Sequence, residues 1–104
     1  MRYSVREGML WPHRTPLELI RLAQEVAARH PDLNPRPTPV HGGYTETVAV
    51  IAAGLKGMTV LCMVPQGIVP YWHQQGDTFD KLAPAALERA GDFVWELLQE
   101  VDKP

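Results

Sequence analysis

The sequence predicts an α/β fold, a partial parallel sheet flanked by about three helices, and three observations carry that reading. Amphipathic helical patterns cover residues 15–30 and 84–101, and a shorter one covers 44–55. Between the last two lies one continuous apolar run, Met58-Thr59-Val60-Leu61-Cys62-Met63-Val64, the pattern of a strand covered on both faces. A proline-rich stretch separates the first two, so the expected order is helix, short edge strand, helix, buried strand, loop, helix, with helices packed on the sheet.

Each element has its own signals. Thr15-Pro16-Leu17-Glu18 reads as a capping box with proline at the first helical position, and Leu19, Ile20, Ala23, Val26 and Ala27 then form a stripe that Pro31 stops. Residues 31–39 hold four prolines, which withhold ladder donors and allow at most a short edge strand at Arg36–Val40. His41-Gly42-Gly43 is a turn. The helix after it carries Val48, Ile51, Ala52 and Leu55 on one side and closes at Gly54 or Gly57. Pro65 ends the apolar run, and Pro84 opens the last helix, whose expected buried stripe is Leu87, Ala90, Val94, Leu97, Leu98 and Val101.

With 104 residues the chain is read as a single domain, well below the ~200 or more residues that all-parallel α/β enzymes use to cover both sheet faces. Ten basic and twelve acidic residues, mixed along the chain for a net charge of −2, form no basic stripe, so nucleic acid is not an expected partner. The start, Met1-Arg2-Tyr3-Ser4-Val5-Arg6-Glu7-Gly8, puts charges where a secretory signal has an apolar run, and no apolar run approaches the ~20 residues of a membrane span. No membrane partner is expected, and the location is read as cytoplasmic. The single cysteine, Cys62, has no internal disulfide partner and is expected to be a small buried hydrophobe. No Ser-His-Asp order, phosphate-binding glycine loop or CxxC is present.

The segment with the most chemistry is Pro70-Tyr71-Trp72-His73-Gln74-Gln75-Gly76-Asp77-Thr78-Phe79-Asp80-Lys81-Leu82. It sets one histidine in an aromatic loop after the apolar run, where ligand sites of parallel sheets gather. His73 is a candidate metal ligand or, on the plain reading, a solvated side chain. Asp77 is a candidate for orienting the His73 ring through its distal nitrogen, and Asp77-Thr78 otherwise shapes the descent into the last helix as an Asx or ST turn. Tyr71 and Trp72 would wall a peptide side-chain pocket or pack the loop. Asp80-Lys81 reads as a solvated pair, and His13, His30 and His41 as surface residues.

His-x-x-x-Asp-Thr-x-Asp-Lys-Leu followed by a proline-opened helix resembles the last conserved stretch of the di-zinc aminopeptidase family of zinc exopeptidases, relatives of glutaminyl cyclases and glutamate carboxypeptidases. The resemblance covers roughly residues 15 to 101 and is concentrated over 70 to 90. It implies the carboxyl-terminal part of such a domain, with zinc as the cofactor, His73 as the final zinc ligand and peptides as substrate. Gly42-Gly43-Tyr44-Thr45-Glu46 resembles the family's glycine-rich turn, with Glu46 a loose match for its aspartate; on the plain reading Thr45-Glu46 caps a helix. Where family members often place an acid before the last helix, this chain has Ala83. It has no counterpart of the family's first histidine and bridging aspartate, its glutamate pair or its second metal-binding aspartate. The resemblance therefore implies a metallopeptidase part that is inactive alone and calls for a complementing polypeptide or a homo-oligomer. A non-catalytic α/β interaction module that retains the scaffold is the alternative.

Overall fold

The computed structural model describes residues 1–8, 10–41, 45–63 and 74–104. It is an α/β structure with a four-stranded mixed sheet and three α-helices: β1 (Arg2–Gly8), β2 (His13–Arg14), α1 (Leu17–Arg29), β3 (Arg36–His41), α2 (Glu46–Ala52), β4 (Val60–Leu61) and α3 (Pro84–Val101). Short 3-10 turns occupy Pro31–Leu33 and Phe79–Lys81. Among the described residues no helix is long and apolar enough to cross a membrane.

The organising strand is β1, which the charged reading of the amino terminus passed over. β3 runs parallel along one side of it, from Arg2 opposite Arg36 to Gly8 opposite His41. The antiparallel strands β2 and β4 share its other side, β2 against Arg6 and Glu7 and β4 against Arg2 and Tyr3. β3 pairs with β1 alone, as its prolines require of an edge strand. Only the β1/β3 pair is parallel, so the sheet is mixed where the sequence reading made it parallel.

A bulge between Ser4 and Arg6 inserts one residue into β1 relative to β3. Bulges reverse the in-and-out alternation of a strand and re-aim its side chains. The consequence here is visible in the hydrogen bonds: Ser4 and Glu7, three positions apart, both bond to Thr59. Gly8 then ends β1 at φ 134°, where a Cβ would collide with the Trp11 carbonyl, so only glycine makes this reversal toward β2.

The core lies between β1, α1 and α3 and consists of Tyr3, Ala23, Val26, Leu33 and Phe93, with Met1, Val5, Met58, Val60 and Leu97 packed around it. Phe93 is wholly buried and stacks on Tyr3 with ring centroids 5.9 Å apart. Burial pushes the Tyr3 phenol above its ordinary pKa. Arg29 at the end of α1 reaches Glu100 of α3 at 2.8 Å, and His30 stands 3.4 Å from Glu96. These ties fasten the carboxyl end of α1 to the last turns of α3, and they give His30 a partner that sequence spacing could not indicate.

Several expectations need correction. Thr15 is not a helix cap: Pro16 holds that position without a side-chain bond, and the buried Thr15 hydroxyl donates to the Ser4 carbonyl at 2.8 Å. With its amide donating to Val5 O at 3.0 Å, Thr15 is a latch between the chain entering α1 and strand β1. The seven-residue strand expected at 58–64 is two residues long, half-buried, and Cys62 beyond it is exposed. Among the described residues β4 pairs with β1 alone, and Val60 and Leu61 are half-buried where the apolar composition suggested cover on both faces. Helix α3 has the expected bounds, but its inner face is Ala86, Ala90, Phe93 and Leu97. Leu87, Leu98 and Val101 of the expected buried stripe are each more than half exposed.

Two end signals hold. Thr45 caps α2 by accepting from the Thr47 amide at 3.2 Å. At its other end Gly54 adopts φ 81° and donates to Ile51 O, while Leu55 donates to Val50 O, the paired bonds of a Schellman closure.

Candidate functional site

His73, with the pocket candidates Tyr71 and Trp72, lies outside the described residues, as does the turn Gly42-Gly43-Tyr44. What the structure describes is the ground on either side. The chain enters residues 64–73 after Met63 and leaves them at Gln74. Strand direction matters for this entry. β3 ends beside Gly8, whereas Leu61, the last residue of β4, pairs with Arg2 at the other end of β1. The last residues of β3 and β4 therefore stand at opposite ends of β1, a consequence of β4 being antiparallel to it.

On the far side, Asp77 is exposed and its amide donates to Gln74 O at 3.1 Å; the Thr78 amide donates to Gly76 O at 3.0 Å. The Thr78 hydroxyl donates to Asp80 Oδ1, and Lys81 Nζ stands 3.4 Å from Asp80 Oδ2. The Thr78 hydroxyl first, and Lys81 second, hold the Asp80 carboxyl below its ordinary value. Asp80 and Lys81 are thus the exposed pair the sequence suggested, in a tight turn that hands the chain to α3. That helix starts at Pro84 behind an N-cap, Ala83, whose side chain bonds nothing. Among the described residues no three of His, Cys, Asp and Glu stand together in a way that could hold a metal ion. The described residues thus do not form a zinc site, and Asp77 has no metal-binding imidazole among them to orient.

A different constellation is built with more bonds. Glu7, at 1 % exposure, lies on the α2 side of the sheet among hydroxyls from two other segments, the start of α2 and the approach to β4. Its Oε1 accepts from Thr45 Oγ1 at 2.8 Å and its Oε2 from Thr59 Oγ1 at 2.8 Å. Thr59 Oγ1 is also 2.8 Å from Thr47 Oγ1 and 2.9 Å from Thr45 Oγ1. The single Thr59 hydroxyl proton is thus shared between two acceptors, Glu7 Oε2 and Thr47 Oγ1. The backbone joins in, because Thr59 N donates to Ser4 Oγ at 2.9 Å and Ser4 N to Thr59 O at 2.8 Å. Among the described residues no buried side-chain polar atom lacks a partner.

A buried carboxyl group is tolerable only with such partners. These partners fix where α2 begins and where β4 enters the sheet, and so position the exit of the glycine-rich turn. Each bond of the cluster joins segments of the chain to one another, so its role is to position them. Sequence reasoning missed it because its members are as much as 55 residues apart. The available signal was a lone acid in β1 together with Thr45, Thr47 and Thr59 on either side of α2.

No protein-family model, curated protein or solved structure matches this chain.

Proposed function

We propose that this chain is the carboxyl-terminal part of a zinc-exopeptidase-like domain that does not hydrolyse peptides alone. In this reading His73 is one ligand of a zinc site whose remaining donors come from another polypeptide. The supporting observation is the stretch from Gln74 to Val101: a turn at Gly76, a 3-10 turn at Phe79–Lys81, and a proline-opened helix behind an uncapped Ala83. Of this stretch, the proline-opened helix is what the resemblance implies for the family's final helix, while Ala83 departs from the acid that family members often place before it. The missing catalytic carboxylates support inactivity in isolation, since a catalytic zinc needs three protein ligands and a two-metal site more.

A second reading rests on a separate observation. Leu87, Trp95, Leu98 and Val101 are 53–62 % exposed along the outer side of α3. Contiguous apolar surface of this kind marks interaction sites, which favours a non-catalytic module that kept the scaffold. The two readings part in one experiment. Zinc content and hydrolysis of a leucyl peptide are measured on the purified chain, alone and mixed with the polypeptide encoded beside it. Inactivity alone with activity on mixing is the expected result. Inactivity in both favours the interaction module, and stoichiometric zinc with activity of the chain alone contradicts the proposal.

A further inference from the structure

Arg6 and Arg14 face each other in register across the antiparallel β1/β2 pair. Like charges directly opposite weaken a ladder, and among the described residues neither guanidinium has a carboxylate partner. The neighbouring acid, Glu7, is committed to Thr45 and Thr59 in the hydroxyl cluster beside Ser4. Both arginines instead line a cleft of about 510 Å³ with Thr15, Leu17, Ile20 and Pro39. α1 also starts at this cleft. Its N-cap, Pro16, supplies no side-chain acceptor, so the positive end of a 13-residue helix is left uncapped beside the two guanidiniums. The acid in its first turn, Glu18, is engaged by Lys56 at 2.9 Å.

The geometry points to a binding site for a small carboxylate with an apolar tail. The head lies between Arg6 and Arg14, where guanidinium forks suit a planar carboxylate. The tail lies on Leu17, Ile20 and Pro39, in a cleft whose size is within the roughly 300–1,000 Å³ range of small-molecule sites. A bare inorganic anion satisfies the arginines and leaves the apolar wall wet, so the tail is part of the recognition. A medium-chain acid and the free carboxyl end of a short apolar peptide share this chemistry. The site does not rest on the peptidase reading, and it is tested on metal-free protein so that either can fail without the other.

The test is calorimetric titration of the intact chain with octanoate, octanamide, N-acetyl-leucyl-leucine, the C-terminal amide of that dipeptide, and inorganic phosphate. At least one of the two acids is expected to saturate a single site, about tenfold or more tighter than its amide and than phosphate; the tighter acid identifies the source. Arg6→Gln and Arg14→Gln each weaken binding about tenfold or more. Each variant also keeps or raises Tm, because it removes one of two facing cations, so lost binding is not lost folding. Arg89→Gln, on the exposed side of α3, leaves binding unchanged. Absence of saturable binding, equal binding of acid and amide, phosphate binding as tight as the acids, or wild-type binding by either arginine variant overturns the site.

Discussion

The hydroxyl cluster around Glu7 and the turn from Gln74 to Lys81 are both dense in polar side chains, yet they are held in opposite ways. In the cluster, bonds join residues 14, 38, 52 and 55 positions apart, and the carboxyl group they surround is sealed from water. In the turn, the amide bonds of Asp77, Thr78 and Lys81 and those of the Thr78 hydroxyl span three positions or fewer, and Gln74–Lys81 is exposed throughout. The cluster ties three segments into one body. The turn is shaped by bonds between near neighbours in sequence.

The contrast can be broken most forcefully in the core that the cluster overlies. Phe93→Ala removes the wholly buried ring stacked on Tyr3 and is expected to cost about 3–5 kcal/mol in urea unfolding; a loss below about 1 kcal/mol would mean that α3 is not anchored there. Next comes the cluster. Glu7→Ala leaves the Thr45 and Thr59 hydroxyls without their acceptor and is expected to cost about 1–3 kcal/mol, whereas Asp77→Ala in the turn is expected within about 0.5 kcal/mol of wild type.

Two smaller effects sharpen the helix starts. Thr15→Asn keeps a residue type suited to capping yet loses the bond to Ser4 O; because Pro16 holds the cap position, it is expected to destabilise by about 1 kcal/mol in urea unfolding, and a gain in stability would contradict the latch. Ala83→Asp supplies the acceptor α3 lacks and is expected to add about 1 kcal/mol, read as a raised urea midpoint.

The smallest effect is acid dependence. The Asp80 carboxyl is held below its ordinary 3.8 by Thr78 and then Lys81, and Glu100 below its ordinary 4.5 by Lys103 and then Arg29. A carboxyl whose folded pKa is lowered contributes stability that is present above the unfolded value and lost as pH falls through the folded one. Stability should therefore fall below about pH 4.5, and Glu100→Gln should flatten part of that fall in urea midpoints measured from pH 6 to 3.

What could be read in advance follows the same division. Helix α3 was legible to its bounds because proline at its start and a 3.6-residue repeat are local signals. Its buried face was not, since apolar residues surround the helix and the choice of Phe93 over Leu98 is made by Tyr3 and α1. The closure of α2 was legible as one of two glycines, Gly54 or Gly57, and the structure places it at Gly54. β1 was hidden by Arg2, Arg6 and Glu7 and by a bulge that breaks alternation, and the Thr15 latch was hidden by a capping pattern that fits its sequence but not its fold. Cys62 looked buried because the apolar run around it suggests a covered strand, yet cover comes from neighbours the run does not encode. Of the candidate site, the exposed Asp80-Lys81 pair was legible, while Glu7 and its hydroxyls depended on contacts across the chain.

Native-state amide hydrogen exchange tests the central contrast most directly, because it reports the free energy of opening at each position. The amides of Ser4, Thr15 and Thr59 should exchange only through global unfolding, while those of Asp77 and Thr78 exchange through local opening at far lower cost. Equal protection of the two sets, or faster exchange at Thr59 than at Asp77, would contradict the account.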